Sequence, residues 1–180
     1  LWASVGQHGE QSGDPFAELP LLTPADVRRL GESYIDRTRV YRVTDRPMFV
    51  DKLPGNWLNV GFIRLILPNA RIIDARRHPL ACGLSNFKQH YASGVSFAYS
   101  QQAIGQFYRD YLRLMDHFDR ILPGAIHHVL NERLIGATEA TVRLVLDFVG
   151  LPFDPACLEF HRNQRAVRSP SAEQVRRPIN

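Results

Sequence analysis

The chain has 180 residues, of which 44% are hydrophobic and 22% charged, with 22 lysines and arginines against 18 acidic residues. That length sets one domain over residues 1–180 with a real core, and the composition excludes a disordered or low-complexity chain. No apolar run approaches the ~20 residues of a membrane span, and Cys82 and Cys157 have neither metal-site spacing nor the number for a disulfide framework.

The opening "LWASVGQHGE" has neither the basic nor the apolar stretch of an export signal, so the cytoplasm is the expected compartment. Residues 1–20 are rich in glycine and proline and read as irregular. A helix follows in "LTPADVRRLGESYIDRTRVY": Thr23 caps it, Pro24 suits its first position, and Val27, Leu30 and Tyr34 line one face. "MFVDK" (48–52) reads as a short buried strand, and "NWLNVGFIRLILP" as a helix stopped by Pro68. "RIIDAR" (71–76) is the second strand, and "PLACGLSNFKQHYA" a helix opened by Pro79.

A longer helix covers about residues 100–121, with Ile104, Phe107, Tyr111, Leu114, Met115 and Phe118 at core-facing spacing. "AIHHVL" (125–130) is the third strand, and "TEATVRLVLDFVGL" a helix capped by Thr138 and stopped by Gly150. Strands alternating with helices predict parallel pairing and an α/β three-layer sandwich. In such sheets ligands bind outside the carboxyl ends of the strands. Lys52, Arg76, Arg77 and Asn131 all fall there.

The charge is uneven. Residues 161–180 hold Arg162, Arg165, Arg168, Arg176 and Arg177 against Glu173 alone, which accounts for the whole net charge of +4. Such a tail suits solvent or nucleic acid; the reading preferred here is a small anionic molecule, with no nucleic-acid partner. His78, His127 and His128 show no metal-ligand spacing, and no Ser/His/Asp order is legible.

"RIIDARRHPLACGLSNF" (71–87) puts a guanidinium, Arg77, at a strand tip, a proline two positions on, and Ser85 eight positions on. An arginine can grip a phosphate with two charge-assisted hydrogen bonds, and the amino end of the following helix adds positive potential. From spacing alone, a surface arginine and a solvent-facing serine are the favoured reading.

The block "DKLPGNWLNVGFIRLILPNARIIDARRHPLACGLSNF" resembles that of sulfotransferases using 3′-phosphoadenosine 5′-phosphosulfate, in particular tyrosylprotein sulfotransferases and bacterial sulfotransferases often fused to tetratricopeptide repeats. "EATVRLVLDFVGLPFDPACLEFHRN" is similar to their closing helix, and "SAEQVRRPIN" to their nucleotide-covering loop. Together the three blocks span roughly residues 45–180. The resemblance implies a P-loop NTPase-like α/β fold and a nucleotide sulfate donor whose product is adenosine 3′,5′-bisphosphate, with no metal required. It implies that Arg77 and Ser85 hold the 3′-phosphate, that Lys52 neutralises charge on the transferring group, and that Ser171 assists the transition state. It further implies that Ser171, Ala172, Glu173, Gln174, Val175, Arg176, Arg177, Pro178 and Asn180 fold over the nucleotide.

Departures from the family pattern are specific. A second arginine four residues after the serine is replaced by Gln89, with Lys88 adjacent, and the strand-end tyrosine by Asn131. Glu132 fits the family's V-x-Y-E-x-L pattern and is expected to be structural. No P-x-S-G-T-S/T loop for the 5′-phosphosulfate occurs in residues 1–51, so the expectation is an N-terminally incomplete domain with that loop, the general base and any tetratricopeptide repeats upstream. Glu10 and Glu18 are formal candidates for the base. The acceptor is expected to bear a hydroxyl: a peptide tyrosine, a glycan or a small metabolite. The competing expectations are an incomplete module that binds a nucleotide 3′-phosphate without turnover, and a P-loop kinase-like domain.

Overall fold

The computed structural model describes residues 19–91, 95–163 and 176–178. It divides into two compact units, Leu1–Ala70 and Arg71–Asn180.

In the first unit, helix α1 spans Pro24–Thr38 and starts where the sequence predicts. Thr23 is extended (φ −77°, ψ 161°), its Oγ1 accepts from the Asp26 amide at 3.2 Å, and its own amide donates to Asp26 Oδ2 at 3.1 Å. This reciprocal pair satisfies amides that the helix itself cannot. A 3-10 turn over Pro54–Asn59 leads into α2, Val60–Ile66. Leu30, Phe62 and Ile66 form the buried cluster, with Leu19, Leu22, Val27 and Leu67 packed against it. The two helices approach so closely at Gly31 that a Cβ there would lie 2.1 Å from the Ile66 carbonyl oxygen. Only glycine fits.

The expected strand over 48–52 does not form among the described residues. The segment is irregular, with Val50 92% exposed. A strand needs a neighbouring backbone to bond, and side chains hold this stretch instead. Arg42 lies 4.1 Å above the Phe49 ring, and the Tyr34 hydroxyl donates to Asp51. Burial first, and the Asp51 bond second, push the Tyr34 pKa up to about 12.

In the second unit, β1 (Ile72–Arg76) and β2 (Ile126–Leu130) pair in parallel, Ile72 opposite Ile126 through Arg76 opposite Leu130. The chain between them forms α3 (Pro79–Lys88) and α4 (Gln101–Ile121). Ser100 caps α4 by accepting from the Ala103 amide at 3.3 Å. After β2 come α5 (Asn131–Gly136) and α6 (Thr138–Val149).

Thr138 is not the expected N-cap. It is the first residue of α6, and its hydroxyl donates back to the Leu134 carbonyl at 2.8 Å, because α5 already occupies the preceding turn. Gly150 does end α6, at φ 78° and ψ 31°, with its amide bonded to Asp147 and that of Leu151 to Leu146. Tyr111 of α4 reaches Asp74 on one face of the strand pair, and Phe148 of α6 stacks on His127 on the other, 5.2 Å between ring centres. Met115, Phe118, Ile126 and Val129 are buried. The described chain is thus helix-rich α/β with a small parallel sheet.

Candidate functional site

Side chains alternate along β1, so Asp74 and Arg76 share a face and Arg77 leaves the strand beyond them. Asp74, 11% exposed, gathers the polar groups of three elements. It accepts from the Tyr111 hydroxyl at 2.8 and 2.7 Å and from Arg76 Nε at 2.6 Å, and it faces His128 Nδ1 at 2.9 Å. His128 Nε2 lies 2.9 Å from Asp119. The Arg76 guanidinium also sits 5.4 Å above the Tyr111 ring. Burial works against the Arg76 charge, but the bond to Asp74 and its charge hold the pKa above the ordinary value. Burial first, then the bond to Asp74, push the Tyr111 phenol up as well. Here the sheet is cross-braced rather than open to a ligand.

One residue further on, the surroundings change. Arg77 is exposed and makes no hydrogen bond or ion pair among the described residues. His78 caps α3 (φ −48°, ψ 128°) without a side-chain bond of its own. Its amide donates instead to Glu132 Oε1 at 2.9 Å, across 54 residues of sequence. The His78 amide first, and the glutamate's own amide second, hold the Glu132 carboxyl below its usual range, with Arg77 adding to the effect.

Ser85 lies exposed on α3. Its neighbour Asn86 is committed elsewhere, donating to the Cys82 carbonyl at 2.9 Å and accepting from the Tyr91 hydroxyl at 2.6 Å. Lys88 and Gln89 are exposed where α3 ends, and Asn131 opens α5 directly after β2. The structure therefore gathers Arg77, His78, Asn131 and Glu132 at the carboxyl ends of the two strands.

Lys52 belongs to the first unit and is exposed on irregular backbone, not at a strand end as the sequence suggested. Arg176 donates to the Asn163 carbonyl at 2.6 Å, while Arg177 and Pro178 are exposed. Ser171, Ala172, Glu173, Gln174, Val175 and Asn180 lie outside the described residues, as do Glu10 and Glu18. Among the described residues there is no group of three or more His, Cys, Asp or Glu able to hold a metal ion, and no helix long and apolar enough to cross a membrane.

The sequence reading left Asp74 without a role and gave Tyr111 to the core. A carboxylate in the middle of a short apolar strand was the available signal, since such a group is buried only with partners. The Glu132 bond to His78 had no local signal, because it depends on how β1 and β2 align.

An exposed arginine thus stands at a parallel strand end, beside the amino end of a helix, on a helix-rich α/β chain. The chain belongs to the sulfotransferase family, whose model matches residues 7–155. It is also similar to an uncharacterized protein of Aquifex aeolicus (strain VF5), 33% identical over 156 residues, or 85% of this chain and 20% of that protein. A second similarity is to a 1,4-alpha-glucan branching enzyme GlgB of Bradyrhizobium sp. (strain BTAi1 / ATCC BAA-1182), 36% identical over 90 residues, 44% of this chain and 12% of that one. The chain spans about a fifth or less of the length of these relatives.

Proposed function

We propose that this chain is the 3′-phosphate-binding part of a sulfotransferase domain that moves a sulfuryl group from 3′-phosphoadenosine 5′-phosphosulfate to a hydroxyl or phenol. Both units form that one domain, on a three-layer fold of the P-loop type. The observation that carries the reading is the contrast at the end of β1, where Arg76 is bonded to Asp74 and Arg77 is exposed without a hydrogen bond or ion pair among the described residues. An exposed guanidinium beside a helix amino end can take a phosphate through two charge-assisted hydrogen bonds. Ser85 supplies a second hydrogen bond to the same phosphate.

In the reaction the acceptor oxygen attacks sulfur as the bond between sulfur and the bridging oxygen breaks. The acceptor proton passes to a base, and adenosine 3′,5′-bisphosphate departs. Negative charge grows on the bridging oxygen, where the Lys52 ammonium offsets it and the Ser171 hydroxyl donates. The loop from Ser171 to Asn180, with Arg176 and Arg177, covers the nucleotide. Peptide tyrosine is the favoured acceptor among glycan and small-molecule hydroxyls, on the likeness to the tyrosylprotein branch. No metal takes part, and the protein acts in the cytoplasm, within a longer chain carrying tetratricopeptide repeats.

Calorimetric titration with adenosine 3′,5′-bisphosphate and with adenosine 5′-monophosphate tests the donor assignment, since the two differ only in the 3′-phosphate. The bisphosphate is expected to bind roughly 10- to 100-fold more tightly, the range of one charge-assisted phosphate contact, and Arg77→Ala to erase the difference. Equal binding of the two by the unsubstituted chain would remove the donor pocket.

A further inference from the structure

We infer that Glu132 is the positioning residue of the nucleotide site, acting through the backbone of His78 to fix the direction in which Arg77 leaves β1. The inference rests on the 3′-phosphate reading of Arg77. Glu132 Oε1 accepts from the His78 amide at 2.9 Å, and that bond joins the residue after Arg77 to the first turn of α5, which follows β2 directly. Among the described residues, it links the segment between β1 and α3 to the segment after β2. Strand pairing stops at Arg76 opposite Leu130, so nothing in the ladder holds residues 77 and 78. The carboxylate takes over where the ladder ends.

Stability does not require this bond. Glu132 is exposed, and an exposed amide without a protein acceptor bonds to water at little cost. What water cannot supply is a fixed direction. His78 is the N-cap of α3, so its orientation sets both the start of that helix and the exit of the preceding arginine. A guanidinium reads a phosphate through planar, two-bond geometry, which a loosened backbone degrades. The Glu132 charge itself is unhelpful there, because it lies close enough to Arg77 to be felt electrostatically and competes with an incoming anion. The useful part of Glu132 is its oxygen at that reach, and its negative charge is a cost.

Geometry and charge separate by substitution. Glu132→Gln keeps an acceptor oxygen at the same reach and removes the charge. Glu132→Asp keeps the charge and withdraws the oxygen by one methylene, and Glu132→Ala removes both. The readout is the affinity ratio for adenosine 3′,5′-bisphosphate over adenosine 5′-monophosphate in the full chain, alongside hydrogen exchange at the His78 amide. E132Q is expected to keep or exceed the original ratio and keep the amide protected. E132D and E132A are expected to lower the ratio roughly fivefold to tenfold, the weight of one hydrogen bond in an equilibrium, and to expose the amide. A ratio kept by E132D and lost by E132Q would overturn the inference in favour of charge, and ratios unchanged in all three variants would overturn it outright. Arg77→Ala, measured in parallel, keeps the two readings apart: if it leaves the ratio intact, the 3′-phosphate site itself fails, whereas loss in R77A with no change at position 132 refutes only the positioning role.

Discussion

Arg76 and Arg77 are adjacent and chemically identical, yet the fold uses them in opposite ways. Arg76 is held by the Asp74 carboxylate and lies over the Tyr111 ring, with its side chain 21% exposed. Arg77, one position beyond the strand, faces solvent. The alternation of a strand sends the first into a brace between sheet and helix, and the end of the ladder releases the second. An arginine pair in a sequence is therefore not a doubled charge. It is one group braced within the fold and one group exposed to solvent.

The contrast can be broken from its structural side first. Asp74→Ala removes the carboxylate shared by the Tyr111 hydroxyl, the Arg76 guanidinium and a His128 nitrogen, and it should cost about 3 kcal/mol, within the range for opening a buried charged network. Urea denaturation at neutral pH checks this, and a loss within experimental error of zero would mean that the brace contributes nothing. Arg76→Ala should likewise lower stability while leaving the preference for the 3′-phosphate intact, the reverse of Arg77→Ala. Two variants with the same profile would end the distinction between the neighbours.

Alkaline titration sharpens the same point. The Tyr111 pKa is raised in the folded chain, so the neutral phenol is favoured there. Stability is fully present below the unfolded value of 10.0 and falls as pH rises beyond it, because the unfolded chain sheds the proton first. Tyr34, pushed up to about 12, contributes a loss of the same sign between those two values. Tyr111→Phe should flatten part of the decline above pH 10, and identical curves for the two proteins would exclude Tyr111 as a cause. The smallest effect belongs to Ser85→Ala, a few-fold weaker binding of adenosine 3′,5′-bisphosphate with no change in melting temperature, as suits one neutral hydroxyl at an exposed site.

Local rules made much of this fold legible. Thr23 and Pro24 announce α1, Gly150 ends α6, and the two apolar runs at 72–76 and 126–130 are the paired strands. Each of these signals acts within a few residues. The segment 48–52 misled because its apolar run carries no information about a partner strand, and Thr138 because a capping residue and a first-turn residue look alike when another helix ends just before. The placement of Arg77 was legible, because it depends on one strand end. The Glu132 bond to His78 was illegible, since Glu132 meets His78 only once β1 and β2 are in register.

That register has a kinetic side. Every rung of the ladder joins residues 54 apart, so a long loop must close before any pairing rewards it. During synthesis the end of β1 leaves the ribosome well before β2 exists. Until that later strand arrives, the Asp74 carboxylate has no imidazole to meet, and His78 has no distant acceptor for its amide. The link between the two strand ends is thus among the last features that the folding chain can complete.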